Sequence, residues 1–512
     1  MNQKDIVVAV DIGTTSTKSA AFDPTGHIYA ESAQEYPLYS EVASRAEQDP
    51  EEIFQAIMKT LSDVVASMGE ARARIAAVSF SSAMHSLIAL DREGTPLTRS
   101  MTWADQRASL HAEQLKATAV GQGIYQRTGT PIHPMSPLVK LLWFKDEDQE
   151  TYQKAAKWVG IKEYAFFRLF GTYVVDYSIA SATGLFNLHT CDWDAEALAL
   201  TGVPKEKLPE PVPTTQVIQG LNKADAEQLG LPADLPFVVG ASDGVLANLG
   251  VGAIAPGTVA CSIGTSGAVR TVVNAPTTDP KGRLFCYALT EDQWVIGGPI
   301  NNGGVAFRWA RDHIFPDLKA GSEDPYEYLT QLASEIDPGS EGLLFLPYLT
   351  GERAPLWNAD TKGVFFGLTL NHDRRHMIRA VMEGVMFQMH AVVAALKETG
   401  VDPQAFRVTG GFTKSLLWRQ IMADIFERGI HVPETPQGSS FGAALLAMKA
   451  LGILNDFSTV EEIVAIGHRH TPNDEASQVY RKLKPIFMDL AEKLTPDFKA
   501  LSAVQRDLGQ KQ

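Results

Sequence analysis

Eight residues near the N-terminus recur 251 positions later, and this repeat restricts the fold of the 512-residue chain more tightly than any other feature. Val8-Ala9-Val10-Asp11-Ile12-Gly13-Thr14-Thr15 is matched by Val259-Ala260-Cys261-Ser262-Ile263-Gly264-Thr265-Ser266. Each copy is an apolar run, a glycine–hydroxyl turn and a second β-prone run (Ser19 to Phe22; Val269 to Val273), the pattern of a β-hairpin with glycine at its turn. Two unrelated hairpins would also match over eight residues, but an offset near half the chain favours two similar domains.

Periodicity between the copies points to α/β architecture. Ile75 to Phe80 and Phe237 to Val239 are apolar runs of strand length. Trp418, Ile421, Met422, Ile425 and Phe426 fall at helical spacing, as do Met377, Ile378, Val381, Val385 and Val392, and Ser439 to Met448 predicts a Gly/Ala-rich helix. Strands alternating with helices predict sheets covered by helices. Pro204 to Pro213, with four prolines, reads as a surface connection, and the crossing between domains is expected near Gly250 to Pro256.

Composition narrows the function class. With 45 basic and 60 acidic residues the net charge is −15, which argues against binding a nucleic-acid backbone. It does not exclude a small anionic substrate, because local cations in a cleft can outweigh the global field. Cys191, Cys261 and Cys286 lack the spacing of a disulfide framework or a zinc site, so a reducing cytoplasm is the expected setting. The run Ile6 to Val10 is too short for a signal sequence. Gly244 to Val269 is uncharged and long enough to span a membrane, but its glycines, Asn248, Pro256, Ser262 and Thr265 read as turns and short buried elements, so no membrane partner is expected.

Asp11 to Lys18 carries the chemistry for holding polyphosphate. Gly13 lets backbone N–H groups approach, Thr14, Thr15, Ser16 and Thr17 supply hydroxyls, and Lys18 supplies charge. Asp11 can hold Mg²⁺ through water, since Mg²⁺ takes few carboxylates. The spacing differs from GxxxxGK[ST], which excludes a P-loop. Gly264 and Thr265 repeat the turn, with Ser262 where the first copy has Asp11. Further along, Phe237 to Ser242 reads as a buried strand that delivers Asp243 to its carboxyl end, where open α/β sheets bind ligands. A carboxylate there can accept a proton from an attacking hydroxyl, and an aspartate there equally fits a helix N-cap.

Together these residues resemble the FGGY carbohydrate kinases over nearly the whole chain. One signature is similar to Met135-Ser136-Pro137-Leu138-Val139-Lys140-Leu141-Leu142-Trp143-Phe144, and the other to Gly363-Val364-Phe365-Phe366-Gly367-Leu368 followed by His376-Met377-Ile378-Arg379-Ala380-Val381-Met382-Glu383. Gly351-Glu352-Arg353-Ala354-Pro355 also resembles the family's C-terminal half. The resemblance implies an α/β fold of two ribonuclease-H-like domains of the actin/Hsp70/sugar-kinase type, with ATP and sugar in the cleft between them and closure excluding water. It implies that Asp243 is the general base, that Thr14, Thr15, Ser16, Lys18, Gly264 and Thr265 face the phosphates, and that Asp11 and Asp243 serve Mg²⁺. Gly411 and Ser415, with Gly304 beside them, would meet the adenosine, although Phe412 and Lys414 stand where small residues are common. The expected division is 1–252, with the sugar-binding loops, first phosphate turn and Asp243, and 253–512, with the second turn and adenosine site.

The substrate loops are expected at Ser81-Ser82-Ala83-Met84-His85-Ser86 and Trp103-Ala104-Asp105-Gln106-Arg107, where an aromatic face and charged groups suit a polyol. Met84, His85, Trp103, Asp105 and Arg107 are the candidate contacts. Taken singly, His85 also fits a satisfied core histidine and Arg107 a surface ion pair. Glycerol-phosphorylating members carry Arg-Glu where this chain has Met84-His85, so glycerol is disfavoured. Together with Thr130 to Pro137, these runs most resemble members that phosphorylate gluconate, with xylulose as the alternative and a sugar-independent ATPase of the same superfamily as a remote one. A sugar acid needs a cation, and His85, Arg107, His133 and Lys140 are candidates. The remaining expectations are a small-molecule sugar or sugar acid as partner and a homodimer as an admissible assembly.

Overall fold

Both copies of the repeat fold as hairpins in the computed structural model, which describes residues 4–42, 44–320, 324–434 and 438–509. In the first, β1 (Ile6–Ile12) pairs antiparallel with β2 (Ser16–Phe22), setting Asp11 opposite Lys18 and Ile12 opposite Thr17, and β3 (Ile28–Glu35) extends the sheet beyond β2. On its other side β1 runs parallel to β4 (Ile75–Ser82), and β4 runs parallel to β5 (Phe237–Ser242). The central strands are continuous apolar runs rather than alternating ones because both of their faces are covered. Val7, Val8, Ala9 and Val10 are fully buried, and Ile53, Ile57 and Leu61 of helix α1 (Pro50–Ser67) share one core cluster with Val8 and Val10. Helix α1 starts where it does because Pro50 fits the first helical position and the Asp49 carboxylate accepts the N–H groups of Glu51 and Glu52.

Register decides what this sheet presents. Ile12, Ser82 and Ser242 lie in one row across β1, β4 and β5, so the three parallel strands end level. Gly13, Ala83 and Asp243, each one residue beyond a strand end, therefore emerge at one carboxyl edge.

The second hairpin repeats this plan. Strand β6 (Thr258–Ile263) pairs antiparallel with β7 (Gly267–Val273) and parallel with β8 (Ala405–Thr409), followed by parallel β9 (Ile430–Pro433) and antiparallel β10 (Ile466–His470). The correspondence reaches single residues. Gly240 in β5 (φ 79°) and Gly410 after β8 (φ 105°) each press on the adjacent strand, where a Cβ would meet Phe80 O at 1.8 Å or Ile263 O at 2.1 Å. Only glycine tolerates both the positive φ and the approach.

By internal contacts one unit comprises Met1–Pro256, Val272–Ile296 and Gln437–Val464, and the other Gly257–Thr271, Gly297–Pro436 and Ala465–Gln512. The Gly/Ala-rich helix is Gly438–Ala450, and Trp418 to Phe426 lies in the helix Leu416–Phe426 with its five spaced apolar residues buried. The 204–213 segment is less of a surface connection than expected: Pro204 is exposed, but Leu208 and Pro209 are buried, Pro211 and Pro213 are half-buried, and Glu210–Val212 adds a short strand parallel to Val174–Asp176. Gly244 to Val269 resolves into the helix Asp243–Gly250, turns and β6. Among the described residues one helix, Arg374–Glu398, is long and apolar enough to cross a membrane, yet 83% of its most apolar window is buried within the protein, as befits a core helix.

Candidate active site

The carboxyl edge of the first sheet gathers the groups expected to do chemistry. Asp11 is half-buried near the end of β1; its Oδ1 accepts the Ser81 hydroxyl at 2.6 Å and its Oδ2 the Ser439 hydroxyl at 2.9 Å. Each oxygen keeps lone-pair capacity. Behind it the Gly13–Ser16 turn is strapped down. The Tyr36 hydroxyl donates to Gly13 O at 2.6 Å, Gln48 Nε2 to Thr14 O at 2.6 Å, and the Tyr36 N–H to Thr15 O at 3.2 Å. Burial, reinforced by the charge of Asp11, pushes the Tyr36 phenol up to about 12, so it stays a donor. Thr15 and Lys18 are exposed, while Thr14 and Ser16 are half-buried.

Asp243 opens helix α2 (Asp243–Gly250) and is half-buried. The N-cap position belongs to Ser242, whose side chain makes no cap bond, and Asp243 Oδ1 accepts the N–H of Gly244 at 2.6 Å. The strand end beneath it is fixed from the side, since Ser178 Oγ lies 2.9 Å from Ser242 Oγ and accepts the Ser242 N–H at 3.2 Å.

Both predicted substrate loops are tied to this edge. Trp103 is half-buried and its indole N–H donates to Thr14 Oγ1 at 3.0 Å, joining the second loop to the first turn. Asp105, 1% exposed, accepts the Ala46 N–H at 3.0 Å and Arg107 Nη2 at 2.8 Å, and Arg107 Nη2 also reaches Glu47 Oε1 at 2.5 Å. Arg107 is thus neutralised by two carboxylates and lies over the Trp143 ring, 5.1 Å from its centroid. His85 is buried with φ 70°, an uncommon backbone for a non-glycine residue, and its Nδ1 lies 2.7 Å from Ala182 O. Met84 packs against the two apolar clusters on either side of its loop. His133 Nδ1 accepts the Met135 N–H at 3.2 Å.

Lys140 does not face a ligand. It is fully buried, and its ammonium donates to His85 O at 2.5 Å, Thr102 O at 2.8 Å and Met101 O at 3.2 Å. Three donors meet three carbonyls, one on the first substrate loop and two on the strand end that leads into the second. Burial pulls its pKa down to about 7, opposed by the charge of Asp105. Its role is to pin the loops.

The second unit holds a cavity of about 830 Å³. Gly264, Thr265, Gly304, Gly411 and Ser415, five residues expected on the nucleotide side, all line it. The N–H groups of Gly303 and Val305 donate to Thr265 O at 3.2 and 3.1 Å and that of Gly304 to Gly264 O at 2.7 Å, so helix α3 (Gly304–His313) begins by gripping the second turn. Ser415 caps helix α4 (Leu416–Phe426), its hydroxyl accepting the Trp418 N–H at 3.1 Å. An aromatic wall backs the space, with Phe307 4.9 Å from Trp418 and 5.7 Å from Tyr326 between ring centroids. Phe412 is buried edge-on against Trp418.

Sequence reasoning missed Tyr36 and Gln48 on the first turn, Ser81 and Ser439 on Asp11, and Arg308, Asp324 and Tyr326 of the cavity wall. Two of these carried a local signal: Ser439, at the start of the predicted Gly/Ala helix, and Ser81, the first residue of the expected substrate loop. Among the described residues no three His, Cys, Asp or Glu side chains gather into a metal cluster. A single half-buried carboxylate with spare lone pairs suits Mg²⁺, which keeps several waters and binds through one or two carboxylates plus phosphate.

Comparison with known proteins shows the family. The FGGY family of carbohydrate kinases matches through its N-terminal domain over residues 6–250 and its C-terminal domain over residues 259–451. A gluconokinase from Bacillus subtilis (strain 168) is 48% identical over 507 residues, 98% of each chain. The crystal structure of gluconate kinase from Lactobacillus acidophilus superposes with a TM-score of 0.92 at 39% identity, covering 97% of this chain and 99% of that one. A ligand-bound xylulose kinase from the same species gives the same four values.

Proposed function

Because the chain belongs to the FGGY family of carbohydrate kinases, we propose that it transfers the γ-phosphoryl group of ATP to D-gluconate, forming 6-phospho-D-gluconate and ADP. The observation that carries the substrate is the 48% identity to a gluconokinase along 98% of both chains.

The chemistry follows from the carboxyl edge of the first sheet. Asp243 accepts the proton of the O6 hydroxyl as that oxygen attacks the γ-phosphorus in line; the new O–P bond forms as the bond to the ADP oxygen breaks. A loose transition state of this kind asks for positioning and charge neutralisation more than for covalent help. Thr14, Thr15, Ser16 and Lys18 supply donors and charge at the first turn, and Thr265 supplies a hydroxyl at the second, where Gly264, its N–H held by Ser266 O at 2.8 Å, leaves room for the phosphate. Mg²⁺, held by Asp11 and Asp243 through water, would neutralise charge on the phosphate oxygens. The adenosine occupies the cavity between Gly304, Gly411 and Ser415. Trp103 packs against the C–H face of the sugar acid while its N–H stays on Thr14. Met84, His85, Asp105 and Arg107 shape the remainder of the substrate pocket. The three thiols form no disulfide, as a reducing cytoplasm would keep them.

Xylulose is the second reading, favoured by the solved xylulose kinase at 39% identity. Coupled ADP release over gluconate, xylulose, glycerol, fuculose and ribulose separates the two. We expect gluconate to exceed each of the others in kcat/KM by at least about a hundredfold, since a site built for a polar group rejects analogues that leave it unpaired. A higher kcat/KM for xylulose would replace gluconate, and ADP release independent of every sugar would favour a plain ATPase.

A further inference from the structure

The Gly351 to Pro355 segment has no step in the phosphoryl transfer proposed above, yet it encloses a carboxylate whose burial needs explaining. Glu352 is 1% exposed. Its Oε1 accepts the N–H of Asn301 at 2.5 Å and of Arg353 at 2.9 Å, and its Oε2 accepts Asn302 Nδ2 at 3.2 Å. Asn302, fully buried, is locked in turn: its Nδ2 donates to Gly351 O at 2.7 Å, while its Oδ1 accepts the Thr350 N–H at 3.2 Å and the Thr350 hydroxyl at 3.1 Å. Arg353 Nε reaches Asn301 Oδ1 at 2.7 Å and its Nη2 reaches Ile300 O at 3.3 Å. The cluster thus fixes residues 300–302 from one side. The next three residues, Gly303, Gly304 and Val305, are those whose N–H groups hold Gly264 O and Thr265 O. Six consecutive residues therefore link one buried carboxylate to the cavity-lining turn.

We propose that Glu352 is a positioning residue for nucleotide binding, acting through Asn301 and Asn302 to set the Gly303–Val305 amides against the second turn. The proposal rests on reading the cavity of this unit as the nucleotide site. A buried carboxylate is a costly way to fill space, and an apolar residue of similar size would pack as well. What it would not do is satisfy three N–H donors whose positions fix a loop. Glu383 supplies the contrast within the same unit. It is equally buried and accepts Gly339 N–H at 2.9 Å, the Ser340 hydroxyl at 3.0 Å, the Tyr480 hydroxyl at 2.7 Å and Arg379 Nε at 2.7 Å, but none of these partners runs in the chain into the Gly303–Val305 amides, as Asn301 and Asn302 do.

Calorimetric titration of the full chain with ADP, without sugar, tests the proposal on wild type, Glu352→Gln and Glu383→Gln. Glu352→Gln places an amide against a donor, and we expect its ADP Kd and ATP KM to rise at least about tenfold with the gluconate KM within about twofold of wild type. Glu383→Gln should melt at a lower temperature yet bind ADP within about twofold of wild type. Glu352→Asp, which keeps the charge, should recover part of the affinity. If Glu352→Gln does not fold, Glu352→Asp and Arg353→Lys carry the test, each expected to bind ADP at least about threefold more weakly. Unchanged ADP binding in the Glu352 variants, or an equal loss in Glu383→Gln, would overturn the proposal. A wild type that does not bind ADP would instead overturn the nucleotide reading of the cavity.

Discussion

At the first turn the carbonyls of Gly13, Thr14 and Thr15 are taken up by the Tyr36 hydroxyl, the Gln48 amide and the Tyr36 N–H, with the Trp103 indole on the Thr14 hydroxyl. At the second, the carbonyls of Gly264 and Thr265 are taken up by the first N–H groups of a helix and its cap. One hairpin sequence is thus held in two ways, largely by side chains in one copy and by backbone in the other. In both, commitment of the carbonyls leaves hydroxyls and the remaining N–H groups as what the turn can offer an anion. The difference assigns each turn a neighbour. Trp103 makes the first turn continuous with the predicted substrate loop, whereas the backbone grip on the second makes it continuous with the cavity floor. Asp11 belongs to the first copy alone, since Ser262 stands in its place in the second.

Backbone grip is the less forgiving of the two. In Gly304→Ala a Cβ would fall 2.7 Å from Gly264 O, so the turn must move, and we expect the ATP KM to rise some thirtyfold, about 2 kcal/mol, with the gluconate KM unchanged. Steady-state kinetics with each substrate varied in turn measures this; a parallel rise in both constants would dissolve the distinction between the turns. Trp103→Phe keeps an aromatic ring and removes the N–H on Thr14. Losing one neutral hydrogen bond should lower kcat/KM for gluconate about fivefold and leave ADP affinity unchanged. An effect confined to ADP would reverse the assignment.

The smallest effect concerns pH. Burial raises Glu352 to about 7, against an ordinary value of 4.5, with its hydrogen bonds to Asn301 and Asn302 opposing. A carboxyl raised on folding stabilises the native state fully below its unfolded value, and that contribution is lost as pH rises through the folded value. The window is therefore about pH 4.5 to 7. Glutamine cannot ionise, so the Tm difference between Glu352→Gln and wild type should shift in the variant's favour by about two degrees from pH 5 to pH 8. Scanning calorimetry at both pH values reads it, and a shift of the opposite sign would mean that the carboxylate is held ionised.

The parts legible from sequence were those written in short runs. Two hairpins followed from an eight-residue repeat, and the position of Asp243 at a strand's carboxyl end from the apolar run before it, whereas its reading as a base came from the resemblance. Gly411 and Ser415 could be placed beside Gly304 through a resemblance rather than through periodicity. What could not be read depends on elements that meet only after folding. Gln48, Tyr36 and Ser439 reach the first turn and Asp11 from 34, 23 and 428 residues away. Lys140 shows the ambiguity most plainly: a lysine near substrate loops suggests a cation for an acid, but full burial against three carbonyls makes it a pin. The return of Val272–Ile296 and Gln437–Val464 to the first unit is likewise a property of tertiary contacts.

The most direct measurement is gluconate-dependent ADP release by wild type and Asp243→Asn, with ADP affinity determined on the same preparations. Removing a general base predicts a kcat lower by about two to four orders of magnitude with nucleotide binding intact. Turnover near the wild-type rate in Asp243→Asn, or wild-type protein that releases no ADP in response to gluconate, would contradict it.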